Sequence, residues 1–92
     1  MAYVEWYDLP LMEEEVLVIR EGSVIIFNFH SRIFNKVAAR HLKSLSPLSV
    51  EEIGDRVILK LRAEEGEELR AWLLLNLGKG FFLTELESLE LC

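Results

Sequence analysis

The run Val24-Ile25-Ile26-Phe27-Asn28-Phe29 constrains the fold more than any other part of the chain. Valine, isoleucine and phenylalanine suit a pleated strand, and here both parities are apolar, with Val24 and Ile26 on one side and Ile25, Phe27 and Phe29 on the other. A strand of that kind belongs inside a sheet and needs cover on both faces. Residues 16–20, joined to it by Arg20-Glu21-Gly22-Ser23, read as the other arm of an antiparallel hairpin and as the edge of the sheet.

After Phe29 the period changes. At about 100° per residue, Phe34, Val37, Ala38, His41 and Leu45 gather on one side of a helix and Arg32, Lys36, Arg40 and Lys43 on the other. The spacing predicts an amphipathic helix over residues 31–46, capped by Ser31 and stopped by Pro47. Gly54-Asp55 is a two-residue hairpin signal between strands at 48–53 and 56–63; the second of these alternates Val57, Leu59, Leu61 and Ala63 with Arg56, Lys60 and Arg62. A second helix is expected over residues 67–77, ended by Gly78 and Gly80. Thr84 with Glu87 forms a capping box that predicts a short C-terminal helix over 84–91.

The expected architecture is an α+β two-layer sandwich. An antiparallel three-stranded core sheet carries an N-terminal edge strand, with two main helices on one face and the short C-terminal helix beyond. The chain has 92 residues, enough for a single domain, divided into an N-terminal extension (1–20), a core (23–78) and a C-terminal tail (81–92).

Side-chain chemistry is sparse. The lone cysteine, Cys92, excludes a disulfide framework and a CxxC site. His30, at a strand-to-helix junction, and His41, on the apolar helix face, read as structural histidines. Glu13-Glu14-Glu15 and the acids at 64, 65, 67 and 68 lack the glycine and Asp/Asn spacing of a calcium loop, and read as solvated loops and helix starts. Gly78-Lys79-Gly80 follows a helix, whereas a phosphate loop follows a strand and opens a helix, so it reads as a C-cap. These readings predict no enzyme activity, no metal and no cofactor. No apolar run reaches the roughly 18 residues of a membrane helix, and Met1 to Met12 lacks the regions of a signal peptide, so a cytoplasmic protein without membrane contact is expected. Frequent Glu, Lys and Arg with no Gln lean toward a thermophile.

Two features stand out. Acids exceed bases by 16 − 10 = 6, yet residues 30–46 hold Arg32, Lys36, Arg40 and Lys43 and no acid. That ridge reads either as a solvated helix face or as a contact for phosphates or an acidic partner. The second feature is the helix at 67–77, apolar almost all round, although only one stripe of a helix can pack on a single sheet. Leu69, Trp72, Leu73, Leu74, Leu75 and Asn76 are therefore the candidate partner interface, with Asn76 a possible register-fixing hydrogen-bonding group. The alternative is that the C-terminal helix and Tyr3, Trp6 and Tyr7 cover that surface.

The order of these elements over residues 23–78 resembles the Pcc family of small subunits of the archaeal and eukaryotic KEOPS complex. The resemblance lies in Val24-Ile25-Ile26-Phe27-Asn28-Phe29, in a following helix with Val37-Ala38 and Leu42, in Val57-Ile58-Leu59-Lys60-Leu61-Arg62-Ala63-Glu64, and in Leu69-Arg70-Ala71 with Asn76 beyond. The extension at 1–20, the position of Asn76 and the tail at 81–91 depart from the family pattern and suit a divergent archaeal paralogue. The resemblance implies a non-catalytic accessory and dimerisation subunit of the complex that forms N6-threonylcarbamoyladenosine in tRNA. It implies a Pcc-type partner subunit, docking of the catalytic subunit on the second helix with Phe34, Val37 and Leu42, and assistance to tRNA binding by the basic ridge. A stand-alone RNA- or DNA-binding module using Arg32, Lys36, Arg40 and Lys43 is the alternative. A small-molecule sensor is a third option, for which the sequence offers no convergent polar cluster.

Overall fold

Two glycine turns organise the sheet. Gly22 and Gly54 sit at φ of 61° and 62°, a left-handed conformation that glycine adopts without steric cost, and each reverses one strand into the next. In the computed structural model, which describes residues 11–87, the first turn joins β1 (Glu15–Glu21) to β2 (Val24–His30) and the second joins β3 (Ser49–Ile53) to β4 (Arg56–Arg62). Helix α1 (Ser31–His41) and a 3-10 turn (Leu42–Ser44) follow the first hairpin; α2 (Ala63–Leu75) follows the second and leads to β5 (Phe82–Glu87). The result is a compact α+β fold with one five-stranded mixed sheet in the order β3-β4-β2-β1-β5.

The central position of β2 follows from its two apolar parities. It pairs antiparallel with β1 on one side and with β4 on the other, Phe27 standing opposite Val18 and Leu59. Ile25, Phe27 and Phe29 meet Val16, Val18, Leu59 and Leu61 on one face, where Ile33 and Val37 of α1 and Leu69 and Leu73 of α2 complete the core. Phe27 and Phe29 stack with centroids 5.8 Å apart, and Phe34 tilts onto Phe29 at 5.9 Å. On the opposite face Leu17, Ile19, Ile26 and Ile58 form a second buried cluster, with Leu11, Val24, Ile53 and Leu86 against it.

The C-terminal element differs from the expected helix. Residues 82–87 are a strand parallel to β1, from Glu15 opposite Phe82 to Arg20 opposite Glu87. The Thr84 hydroxyl donates to Glu15 Oε2 at 2.6 Å instead of capping a helix, and Leu83 and Leu86 are drawn to the two opposite faces of the sheet. Consequently β1 is an interior strand rather than an edge, and the sheet is mixed rather than a three-stranded antiparallel core with one added strand. Residues 88–91, also expected to be helical, lie outside the described residues, as do Tyr3, Trp6 and Tyr7.

Both main helices lie on one face, with shifted ends. His30, not Ser31, caps α1: its Nδ1 accepts the Arg32 backbone N–H at 3.1 Å, and the Ser31 N–H donates to the Asp55 carbonyl at 2.8 Å. The helix ends at His41 in a 3-10 turn, short of residue 46. Helix α2 begins at Ala63 rather than at residue 67, so that Gly66 lies within it, where the missing Cβ permits a close approach to Ile25 of β2.

Ion pairs fasten the outer layer. Arg20 donates to Glu67 at 2.5 Å, and Arg70 reaches both carboxylate oxygens of Glu85, Nη2 to Oε2 at 3.0 Å. The hydrogen bond from Arg70 holds the Glu85 carboxyl below its ordinary value of 4.5, against the opposing effect of burial. A carboxylate whose folded pKa is depressed stabilises the fold above its unfolded pKa, and that contribution is lost as pH falls below about 4.5 through the folded value. Because Glu85 and Arg70 are 42% and 32% exposed, solvent screening keeps the effect small. Glu85→Gln is expected to lower stability at pH 7 by about 0.5–1 kcal/mol. Urea midpoints measured across the acid range should converge for the two proteins as pH drops; a constant difference would show that the charge is not responsible.

Candidate functional site

Helices α1 and α2 lie side by side on the sheet, and the turn from α2 into β5 closes one end of the channel between them. Gly78 and Gly80, at φ of 86° and 99°, let that turn fold back so that the Gly78 N–H donates to the Phe81 carbonyl at 3.2 Å. The groove so formed encloses about 630 Å³. Ile33 and Val37 from α1 supply its apolar floor, and Trp72 and Phe81, both half-buried, its aromatic wall. Lys36 and Arg40 border it from α1 and Lys79 from the turn; among the described residues its lining contains no acid.

The basic ridge is therefore divided. Arg32 is drawn away by an ion pair with Glu13. Lys36 and Arg40, one turn apart, border the groove, while Lys43 is exposed on the 3-10 turn and is not part of the lining. Lys79, read from the sequence only as part of a helix cap, is the cation that sequence reasoning missed. Nothing local connects it to residues about forty positions earlier; only the packing of α2 beside α1 does.

The six residues expected to form a partner interface separate by burial. Leu69 and Leu73 are 1% and 0% exposed in the core and so form no part of the surface. Trp72 packs against that core from the groove side. Leu74 and Leu75 are 39% and 83% exposed, with Leu77 beyond them at 44%. The Asn76 Nδ2 donates to the Trp72 carbonyl at 2.8 Å and secures the end of α2. Its second N–H and its Oδ1 have no partner among the described residues, and Asn76 lines the groove. Of the α1 residues implicated in docking, Val37 is buried in the core and Phe34 packs against it.

His30 stands apart from the groove, its Nε2 3.6 Å from Asp55 and 4.0 Å from Glu13. With Nδ1 committed to the α1 cap, its geometry is that of a joint between β2, α1 and the β3–β4 turn. Among the described residues, no three His, Cys, Asp or Glu side chains gather in a way that could hold a metal ion, and no helix is long and apolar enough to cross a membrane. The arrangement can attract an anion and shelter an apolar or aromatic body beside it. Compared with protein-family models, with curated proteins and with solved structures, the chain finds no match.

Proposed function

We propose that the chain is a non-catalytic accessory and dimerisation subunit of the KEOPS complex, which forms N6-threonylcarbamoyladenosine in tRNA. In this role it docks the catalytic subunit and assists tRNA binding. The observation that carries the proposal is the outer surface of α2, where Leu74, Leu75 and the following Leu77 remain 39%, 83% and 44% exposed while Leu69 and Leu73 are spent on the core. Full burial of a leucine is worth about 1.5–3 kcal/mol, so covering the three with a partner's apolar surface is a substantial driving force. The outermost strand β3 adds a second contact for a Pcc-type partner subunit: its outer edge pairs with no strand among the described residues, and Val50 within it and Leu48 just before it are 43% and 47% exposed. Exposed Lys36, Arg40 and Lys43 offer positive charge to tRNA phosphates, a minor share in a chain of net charge −6.

The test is capture of the tagged chain from its native host, with light scattering of the purified protein alone and mixed with the Pcc-type partner. Co-purification of the catalytic subunit and a dimeric mass in one of the two samples are expected. Leu74→Asp with Leu75→Asp should weaken capture at least about tenfold without lowering the melting temperature, since substitutions at exposed sites rarely change stability much. A protein that is monomeric in both samples, or that co-purifies without the catalytic subunit, would overturn the proposal.

A further inference from the structure

We infer that the groove between α1 and α2 is a binding site for a single nucleotide, a nucleoside 5′-phosphate, whose phosphate lies among Lys36, Arg40 and Lys79 and whose base lies along Trp72 and Phe81. Binding in the groove goes beyond the assembly role and does not depend on it.

Charge distribution is the first support. Arg20, Arg32 and Arg70 are each tied to a carboxylate, and Arg56 is buried against backbone carbonyls and Asn28. Lys36, Arg40 and Lys79 make no ion pair among the described residues, and they come together from two elements around one depression. In a chain of net charge −6 such a convergence attracts an anion locally. A guanidinium on one wall and ammonium groups on both suit a phosphate, which takes several charge-assisted hydrogen bonds at once.

The remaining surface selects what the phosphate is attached to. Ile33, Val37, Trp72 and Phe81 make a floor and wall that water solvates poorly and that a flat heterocycle covers well. Asn76 stands at the same groove, its second amide N–H and Oδ1 without a partner among the described residues. That donor and acceptor pair matches the edge of a base such as adenine, which offers a donor beside an acceptor. The size agrees: about 630 Å³ lies within the usual range of roughly 300–1,000 Å³ for small-ligand sites. A long single strand is disfavoured, because only three cations border the groove among the described residues, Lys43 lies off it, and the rest of the chain is acidic.

Fluorescence titration of the full chain tests the assignment, with Trp6→Phe as the background so that Trp72 is the reporter. AMP is expected to give a saturable change, with adenosine and inorganic phosphate each binding at least about tenfold more weakly. Lys36→Ala, Arg40→Ala and Lys79→Ala together, all at exposed positions, should cost at least tenfold in AMP affinity, whereas Lys43→Ala should leave it unchanged. Asn76→Leu should weaken AMP but not inorganic phosphate. Absence of saturation by AMP up to about 10 mM, or binding that survives the triple substitution, would overturn the site. Much tighter binding of a single-stranded RNA decamer, lost in the triple variant, would overturn the single-nucleotide assignment in favour of a strand. These titrations need no partner subunit, so their failure is distinguishable from failure of the assembly role.

Discussion

Arg56→Ala is expected to lower the stability of the fold by about 3–4 kcal/mol, a large part of the 5–15 kcal/mol typical of a whole domain. Arg56 opens β4 and is only 8% exposed. Its Nε donates to Asn28 Oδ1 at 2.8 Å, its Nη2 to the carbonyls of Asn28 and Glu15 at 2.9 and 2.8 Å, and its Nη1 to the Met12 carbonyl at 3.1 Å. One side chain thus ties β4, β2 and the start of β1 together on the face away from the helices. Burial lowers the Arg56 pKa, and the carboxylates of Asp55 and Glu15 oppose that effect. Removing the guanidinium deprives four acceptors of a donor, and each buried group left unmet costs about 1–3 kcal/mol, with water recovering part of the total. Arg56→Lys should recover little, because an ammonium cannot reproduce the planar fork. Urea unfolding is the measurement. A loss below about 1 kcal/mol for the Ala variant would mean that water replaces the guanidinium at little cost.

Gly66→Ala is the second large effect, and it runs against intuition. In an ordinary helix the change gains about 0.5–1 kcal/mol. Here an added Cβ would stand 2.6 Å from the Ile25 Cβ and 2.9 Å from its Cδ1. The Ile25 Cβ is fixed to the backbone of the central strand, so relief requires α2 to lift from the sheet, taking the fully buried Leu69 and Leu73 with it. Overpacking of this kind costs about 1–3 kcal/mol, and with the looser packing of two leucines added, a net loss of about 2 kcal/mol is expected. A melting temperature equal to or above wild type would show that the helix slides without penalty.

Both sites mark the limit of what was legible in the sequence. The double apolar parity of β2, the alternation in β4, the two glycine turns and the stripe of α1 are local patterns that reappear in the fold, although α1 ends at His41 rather than at residue 46 and Ala63 opens α2 instead of closing β4. Arg56 looked like one more polar residue on the polar side of a strand; nothing nearby announces that Asn28 and the carbonyls of Met12 and Glu15 converge on it. Gly66 carries no local signal, because its use is a contact with Ile25, forty-one positions away. Thr84 and Glu87 satisfied a helix signal that pairing with β1 overrides. The candidate site divides along the same line. Lys36 and Arg40 were visible as a helical stripe, whereas Lys79, Phe81 and Asn76 join them only through packing of one helix beside the other.

The parallel pairing of β1 with β5 also has a consequence in time. Glu15 and Phe82 are 82 − 15 = 67 positions apart, while both hairpins close through two-residue turns. Local contacts form fastest, so the β1–β2 and β3–β4 hairpins can assemble as the chain emerges, and β5 has to wait for the rest. Until it arrives, β1 is itself a bare edge whose Val16, Leu17, Val18 and Ile19 are destined for complete cover. The nascent protein is thus most prone to mispairing in the interval between completion of β4 and synthesis of Glu87, and docking of the last strand ends that exposure.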